Sequence, residues 1–316
     1  MAPATSPALR RRPTAVAAIE EATARLAAAG VETPRADAEW LLAGILGRGR
    51  AALALAGELA PATLARFRAA VARRAAREPL QRILGWEEFR GLRLRLTPAV
   101  MVPRPETELL VEWALAWLRG RVRARAVDVG TGSGCIACAL AAEHPGVEVV
   151  ACDLSPAALA VAGANVRALG LAGRVRLVAA DGLGAVRAAS ADLVVANPPY
   201  LPRALLATLA PEVRDHDPRL ALDGGPDGLA VLRPLVREAA RVLVPGGRLL
   251  LETAGGAQAE VVAATCATAG FTAIELRRDL PGVVRFVGAT WPGAAGAARG
   301  LGTGRAAAPS PGGEGR

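Results

Sequence analysis

Asn197-Pro198-Pro199-Tyr200 follows residues 192–196, a short apolar run that reads as a strand. Two prolines stiffen the turn and remove two N–H donors, so carbonyls become its exposed backbone groups. The Asn197 side-chain oxygen and the Pro198 carbonyl can together accept both N–H bonds of a planar NH₂ group. The ring of Tyr200, the only tyrosine in the chain, can lie against that group's π face. An amide or exocyclic amine is a poor nucleophile because its lone pair is delocalised. Holding both hydrogens favours charge on nitrogen as a methyl sulfonium is attacked in line, and fixed geometry supplies much of the remaining rate. No strong general base is required.

A second constellation supplies a place for the other reactant. Asp128-Val129-Gly130-Thr131-Gly132-Ser133-Gly134 comes straight after a strand-like run and opens a helix over 135–143. Glycine at alternate positions lets the backbone turn tightly and approach a ligand without Cβ clashes, although strand-to-helix turns also use glycine for structure alone. Asp153 ends the next strand about 20 residues on, the spacing at which a carboxylate accepts hydrogen bonds from both ribose hydroxyls. The loop has no lysine and lacks the Lys-Ser/Thr of a phosphate-cradling loop, which disfavours a triphosphate. Asp181 offers an acceptor for an adenine amino group, or else caps a helix over 182–188. Asp128 either faces a cation such as a sulfonium or satisfies N–H groups of the loop.

These residues need a sheet to bring them to one edge. Strand-like runs at 126–129, 147–152, 175–179, 192–196, 248–252, 272–277 and 283–289 alternate with helical stretches. That alternation predicts an α/β fold with a parallel, doubly wound sheet, and the short Pro281-Gly282 connection predicts an antiparallel last strand. Ligands in such sheets bind at the carboxyl ends of the strands, where the glycine loop and Asn197 both fall. Ahead of the sheet, helices over 14–29, 34–46 and 61–77, punctuated by Gly and Pro, predict a small helical domain over 14–84. Residues 85–97 alternate apolar and arginine positions and read as a hairpin linker, leaving 98–292 as the catalytic domain. Residues 1–13 and 293–316 read as disordered.

Composition narrows the classes further. The chain is 52% hydrophobic, but every apolar run is broken well before the roughly 20 residues a spanning helix needs, so no membrane is expected. The leader has no apolar core for secretion, which points to the cytoplasm. Net charge is +9, and all 38 cations are arginines spread along the chain, a field that favours anionic partners or serves solubility alone. Cys135 and Cys138 have metal-like spacing, but with no second pair and only His144 and His216 in the chain, no metal site is expected.

The glycine loop, Asp153 and Asn197 to Tyr200 look like a class I S-adenosylmethionine-dependent methyltransferase acting on a planar nitrogen. With residues 78–85 (Glu-Pro-Leu-Gln-Arg-Ile-Leu-Gly), the run Pro103-Arg104-Pro105-Glu106-Thr107-Glu108, and Asp217-Pro218 leading to residues 221–228, the chain resembles the PrmC/HemK family over about residues 14–290. These are glutamine methyltransferases of peptide chain release factors. The resemblance implies a Rossmann-like seven-stranded sheet. It implies that Gly130, Thr131, Gly132, Ser133, Gly134 and Asp153, with Asp181, Gly182 and Asn197, hold S-adenosylmethionine. Asn197, Pro198 and Tyr200 are then catalytic and, with Pro199, bind the glutamine amide of the Gly-Gly-Gln tripeptide in class 1 release factors. A monomer that needs no nucleic acid is expected. The 103–108 run forms either a lid braced by Arg104 and Glu106 or a Pro-capped helix start. Many family members carry an aromatic residue where this chain has Gly182.

Two other functions compete. An adenine-N6 methyltransferase on DNA or RNA presents the same planar NH₂ to Asn-Pro-Pro-Tyr, but such DNA enzymes usually need a sizeable target-recognition region, and here only about 70 helical residues are available. A silent cofactor-binding adaptor is disfavoured by the intact residues 197–200.

Overall fold

Helix α1 (Ala15–Ala28) begins where Thr14 turns extended and its hydroxyl accepts the Ala17 N–H at 3.2 Å, the bond that makes threonine an N-cap. The protein is described by a computed structural model covering residues 12–296. Most of the segments read as disordered, 1–11 and 297–316, lie outside the described residues; Pro13 is ordered, its carbonyl accepting the Leu59 N–H at 3.0 Å. Helices α2 (Pro34–Leu46), α3 (Pro61–Ala75) and α4 (Leu80–Leu84) follow, and Gly47 and Gly85 end α2 and α4 with positive φ. Ile19, Leu26, Leu41, Leu42, Phe67 and Val71 fill the core of this helical unit.

The chain divides into two units. Among the described residues, 12–86, with 96–98 and 208–217, form the helical unit, and the others form the second. The hairpin of β1 (Trp86–Phe89) and β2 (Leu92–Arg95) has its residues 87–95 in the second unit rather than between the two. Asn165 explains why: its Oδ1 accepts the Arg95 N–H at 2.8 Å and its Nδ2 donates to the Arg95 carbonyl at 3.1 Å.

The second unit continues through α5 (Pro105–Leu118), β3 (Ala124–Val129), α6 (Cys135–Glu143), β4 (Val147–Asp153), α7 (Pro156–Ala168), β5 (Val175–Ala179) and β6 (Ala191–Ala196). After a one-turn helix α8 (Pro211–Arg214), which belongs to the helical unit, come α9 (Leu232–Val242), β7 (Leu243–Glu252), α10 (Ala257–Thr268), β8 (Thr272–Arg278) and β9 (Val284–Trp291). The seven-stranded sheet has the order β5-β4-β3-β6-β7-β9-β8. Pairs from β5 through β7 are parallel, and β9 runs antiparallel to both β7 and β8, as the short connection predicted. Leu193 and Leu250 pack with Leu110, Trp113 and Leu140 on one face; Val194, Leu249 and Leu251 pack with Leu232, Val236 and Val262 on the other. Burial on both faces is why these strands are continuous apolar runs.

The structure bears on two alternatives the sequence leaves open. No helix forms over 182–188: these residues make turns, and the Asp181 carbonyl accepts the Gly184 N–H at 3.2 Å, so Asp181 caps no helix there. The 103–108 run contains the start of α5, with Pro105 in its first turn and Arg104 at the N-cap position.

Candidate active site

Because β4 lies on one side of β3 and β6 on the other, the sheet reverses its winding at β3, and a crevice opens at the strand ends. Val129 pairs with Ala196 across β3 and β6, so the residues that follow, Gly130 and Asn197, leave the sheet side by side. Gly130 and Gly132 adopt φ of 71° and 55°, values a side chain resists, and the N–H groups of Gly130 and Thr131 both donate to the Cys152 carbonyl, at 2.9 and 3.0 Å. The crevice is a cavity of about 560 Å³ within the second unit, the size of a small-molecule site.

Most residues singled out in the sequence meet at this cavity. Gly130, Thr131, Gly132, Ser133, Asp153, Asp181, Gly182, Asn197, Pro198 and Pro199 line it, whereas Gly134 and Tyr200 are not among the lining residues. Gly134 precedes α6 with φ of 81°, and a Cβ there would stand 3.3 Å from the Ala162 Cβ, so its place is in helix packing. From the 103–108 run, Pro103 and Thr107 reach the cavity; Arg104 and Glu106 do not line it.

The two aspartates differ. Asp153 accepts the Gly132 N–H on Oδ2 and the Ser155 N–H on Oδ1, both at 2.8 Å, leaving each oxygen a further lone pair beside the cavity. A vicinal diol suits that pair of acceptors. Asp128 is fully buried, and its Oδ2 accepts the Thr131 hydroxyl at 2.6 Å and the Ala137 N–H at 3.2 Å. Burial pushes its carboxyl up to about 7. Asp128 braces the loop.

Asn197 is oriented by a chain of side chains. Its Nδ2 donates to Thr107 Oγ1 at 2.9 Å, the Thr107 hydroxyl donates to Glu252 Oε2 at 2.9 Å, and the Tyr200 hydroxyl donates to Glu252 Oε1 at 3.1 Å. Glu252, only 1% exposed, is pushed up to about 7 by burial. Burial, then the adjacent Glu252, pushes the Tyr200 hydroxyl up as well. With its NH₂ committed to Thr107, Asn197 keeps an oxygen acceptor for the cavity. Thr107 and Glu252 were not recognised as site residues from sequence; the available signal was an acid ending the apolar run Leu249-Leu250-Leu251 at the ligand edge of the sheet.

The glycine-rich 221–228 segment backs the Asn-Pro-Pro-Tyr turn. Leu201 bridges to Asp223, the Gly224 N–H donates to the Leu201 carbonyl at 2.9 Å, and Gln258 Nε2 ties the Tyr200 and Gly228 carbonyls at 2.9 and 3.2 Å. A Cβ on Gly228 would stand 2.4 Å from the Tyr200 carbonyl oxygen, so this close approach requires glycine. Burial raises the thiols of Cys135 and Cys138 to about 12, which leaves them as packing groups in α6.

Comparison with known proteins gives the chain a family. Residues 17–85 match the PrmC N-terminal domain and residues 106–208 the methyltransferase small domain. The release factor glutamine methyltransferase of Cereibacter sphaeroides is 46% identical over 279 residues, spanning 88% of this chain and 98% of that protein. That of Deinococcus radiodurans is 49% identical over 271 residues, spanning 85% and 95%. This chain belongs to the release factor glutamine methyltransferase family. Its fold is shared with the solved hMettl16 catalytic domain in complex with MAT2A 3'UTR hairpin 6, at a TM-score of 0.54 and 17% identity over 70% of this chain and 81% of that one. For a release factor glutamine methyltransferase the methyl donor is S-adenosylmethionine. The cavity fits it: Asp153 offers paired acceptors for a ribose, the glycine loop allows close approach, and the cavity is large enough. No helix among the described residues is long and apolar enough to cross a membrane.

Proposed function

We propose that this chain transfers a methyl group from S-adenosylmethionine to the side-chain amide nitrogen of the glutamine in the Gly-Gly-Gln tripeptide of class 1 release factors. The observation that carries the reading is Asn197: its amide oxygen is left as an acceptor in a cavity shared with the glycine loop and Asp153. In this reading Gly130, Thr131, Gly132 and Ser133 admit the cofactor closely and Asp153 accepts its ribose hydroxyls, while Asp181 and Gly182 border its adenine. The bound sulfonium supplies an activated methyl group. Asn197 Oδ1 and the Pro198 carbonyl each accept one N–H of the glutamine amide, which fixes the nitrogen for in-line attack and stabilises the charge growing on it. The transfer would exchange the sulfur–methyl bond for a nitrogen–methyl bond, and the proton shed by the charged amide would pass to water. Tyr200 acts from behind the turn, holding it through Glu252.

The helical unit is the docking surface in this reading, because a tripeptide is too small for selective recognition. In this reading the chain works as a monomer, in the cytoplasm and without nucleic acid. The deciding experiment supplies labelled cofactor together with release factor, duplex DNA and ribosomal RNA. Label is expected on the release factor; label on nucleic acid alone would favour the adenine-N6 reaction.

A further inference from the structure

We infer that Glu252, acting through Thr107, is a positioning residue that sets which end of the Asn197 amide faces the substrate. This rests on the reading that Asn197 receives the glutamine amide. The two ends of an asparagine amide are nearly equal in size, so packing alone selects weakly between its two orientations. Hydrogen-bond direction selects strongly. An ionised carboxylate only accepts, so the single hydroxyl proton of Thr107 is drawn to Glu252 Oε2, and the lone pairs of Thr107 Oγ1 are what Asn197 meets. Only the NH₂ end satisfies them. A turned amide would set its oxygen against Oγ1 with no proton between, and would offer a donor to a substrate that also brings donors.

The placement of these groups fits that role better than a role in packing. Thr107 stands in the first turn of α5, Glu252 at the end of β7 and Asn197 just past β6, so three separate elements converge on one chain of bonds. Thr107 and Glu252 are each 1% exposed, and burying a carboxyl at such a position costs stability that an apolar side chain would not. Its two oxygens are divided between Thr107 and Tyr200, so one carboxylate fixes both ends of the 197–200 turn.

The test compares Thr107→Val, which keeps shape and loses the hydroxyl, with Thr107→Ser, which keeps the hydroxyl. Thr107→Val is expected to lower kcat for release factor methylation about tenfold to hundredfold, the effect of one mispaired buried hydrogen bond, with calorimetric cofactor affinity within about threefold. Thr107→Ser should recover most of that loss. Glu252→Gln should lower kcat similarly, because a glutamine amide can donate to Thr107 and turn its proton toward Asn197. Combining Glu252→Gln with Thr107→Val should cost no more than either alone, since the bonds act in series. A Thr107→Val enzyme with wild-type kcat, equal losses in Val and Ser variants, or additive losses in the double variant would each overturn the proposal. Should Glu252→Gln fail to fold, the Val and Ser pair decides alone. Wild-type protein that methylates no release factor would instead defeat the proposed function.

Discussion

Gly182 and Glu238 share one space: a Cβ on residue 182 would stand 2.6 Å from Glu238 Oε2, which already accepts the Leu183 N–H at 2.7 Å. Both residues line the cavity. The carboxylate of α9 thus occupies the room into which a side chain at 182 would first project. Gly182→Phe should therefore weaken cofactor binding at least tenfold, since the new residue must displace Glu238 and adopt φ of 55°. Calorimetric titration reads this directly. Adding Glu238→Ala should recover part of the loss, and an unchanged Kd in the single variant would show that the two residues do not compete.

Asn197→Ala should abolish methyl transfer while leaving cofactor affinity within a few-fold, because the cofactor is expected to be held mainly by the glycine loop and Asp153. Parallel rate and titration measurements separate the outcomes. Binding lost in proportion to rate would make Asn197 chiefly a cofactor residue.

Asp153→Ala should weaken cofactor binding by about 1.5 to 3 kcal/mol, the range for hydrogen bonds to a charged group. The same change frees the Gly132 and Ser155 N–H groups, so Asp153→Asn, which keeps an acceptor, should cost less. The ribose assignment fails if both variants bind as the wild type does.

Activity and stability should respond oppositely to pH. Glu252 is raised by burial from an ordinary 4.5 to about 7, so between those values the folded chain binds a proton that the unfolded chain has lost. Stability from this group is then full below about 4.5 and falls as pH rises toward 7, by an amount on the order of a few kcal/mol. Asp128, raised from 3.8 to about 7, adds a loss of the same sign. The charged groups acting on Glu252 are Arg285, which favours its ionised form, and Glu106, which opposes it; the Thr107 and Tyr200 hydroxyls donate to it. Ionised Glu252 is the form that orients Asn197, so kcat should rise through about pH 7. Denaturant titrations and pH–rate profiles of wild type and Glu252→Gln check both trends, and a Glu252→Gln profile that keeps the rise would assign it elsewhere.

Removing residues 14–84 should spare cofactor binding and strongly reduce methylation of intact release factor. The deletion also strips partners from a distant segment: Glu212 accepts Arg74 at 3.0 Å and Arg77 at 2.6 Å, and Asp217 accepts Arg82 at 3.0 Å. Neutralising Glu212 and Asp217 in the truncated chain should therefore raise its Tm. A folded truncation that methylates intact release factor at the full rate would refute docking by the helical unit.

Residue type and local spacing carried the parts of the site that lie within a few positions of one another: the glycine loop, Asp153 at its strand end, and the Asn-Pro-Pro-Tyr turn. Strand runs were legible because burial on both faces makes them continuously apolar. What stayed hidden depends on distant pairing. Asn197 and Thr107 are 90 positions apart, and Thr107 and Glu252 are 145 apart. The hairpin's alternation was visible, but its attachment through Asn165 was not. Residues 182–188 carried apolar positions suited to a helix, yet Gly182 takes a positive φ and the chain turns instead.

The helical unit is completed by residues 208–217, so as an inherited module it is not one continuous stretch of coding sequence. Recombination that exchanged only its first 86 residues between two relatives would set the arginines of one parent against the carboxylates of the other. Arg74, Arg77, Arg82, Glu212 and Asp217 must therefore travel, or drift, as a set. A chimera meant to alter release factor choice needs two crossovers more than its linear map suggests, one on each side of this short insert.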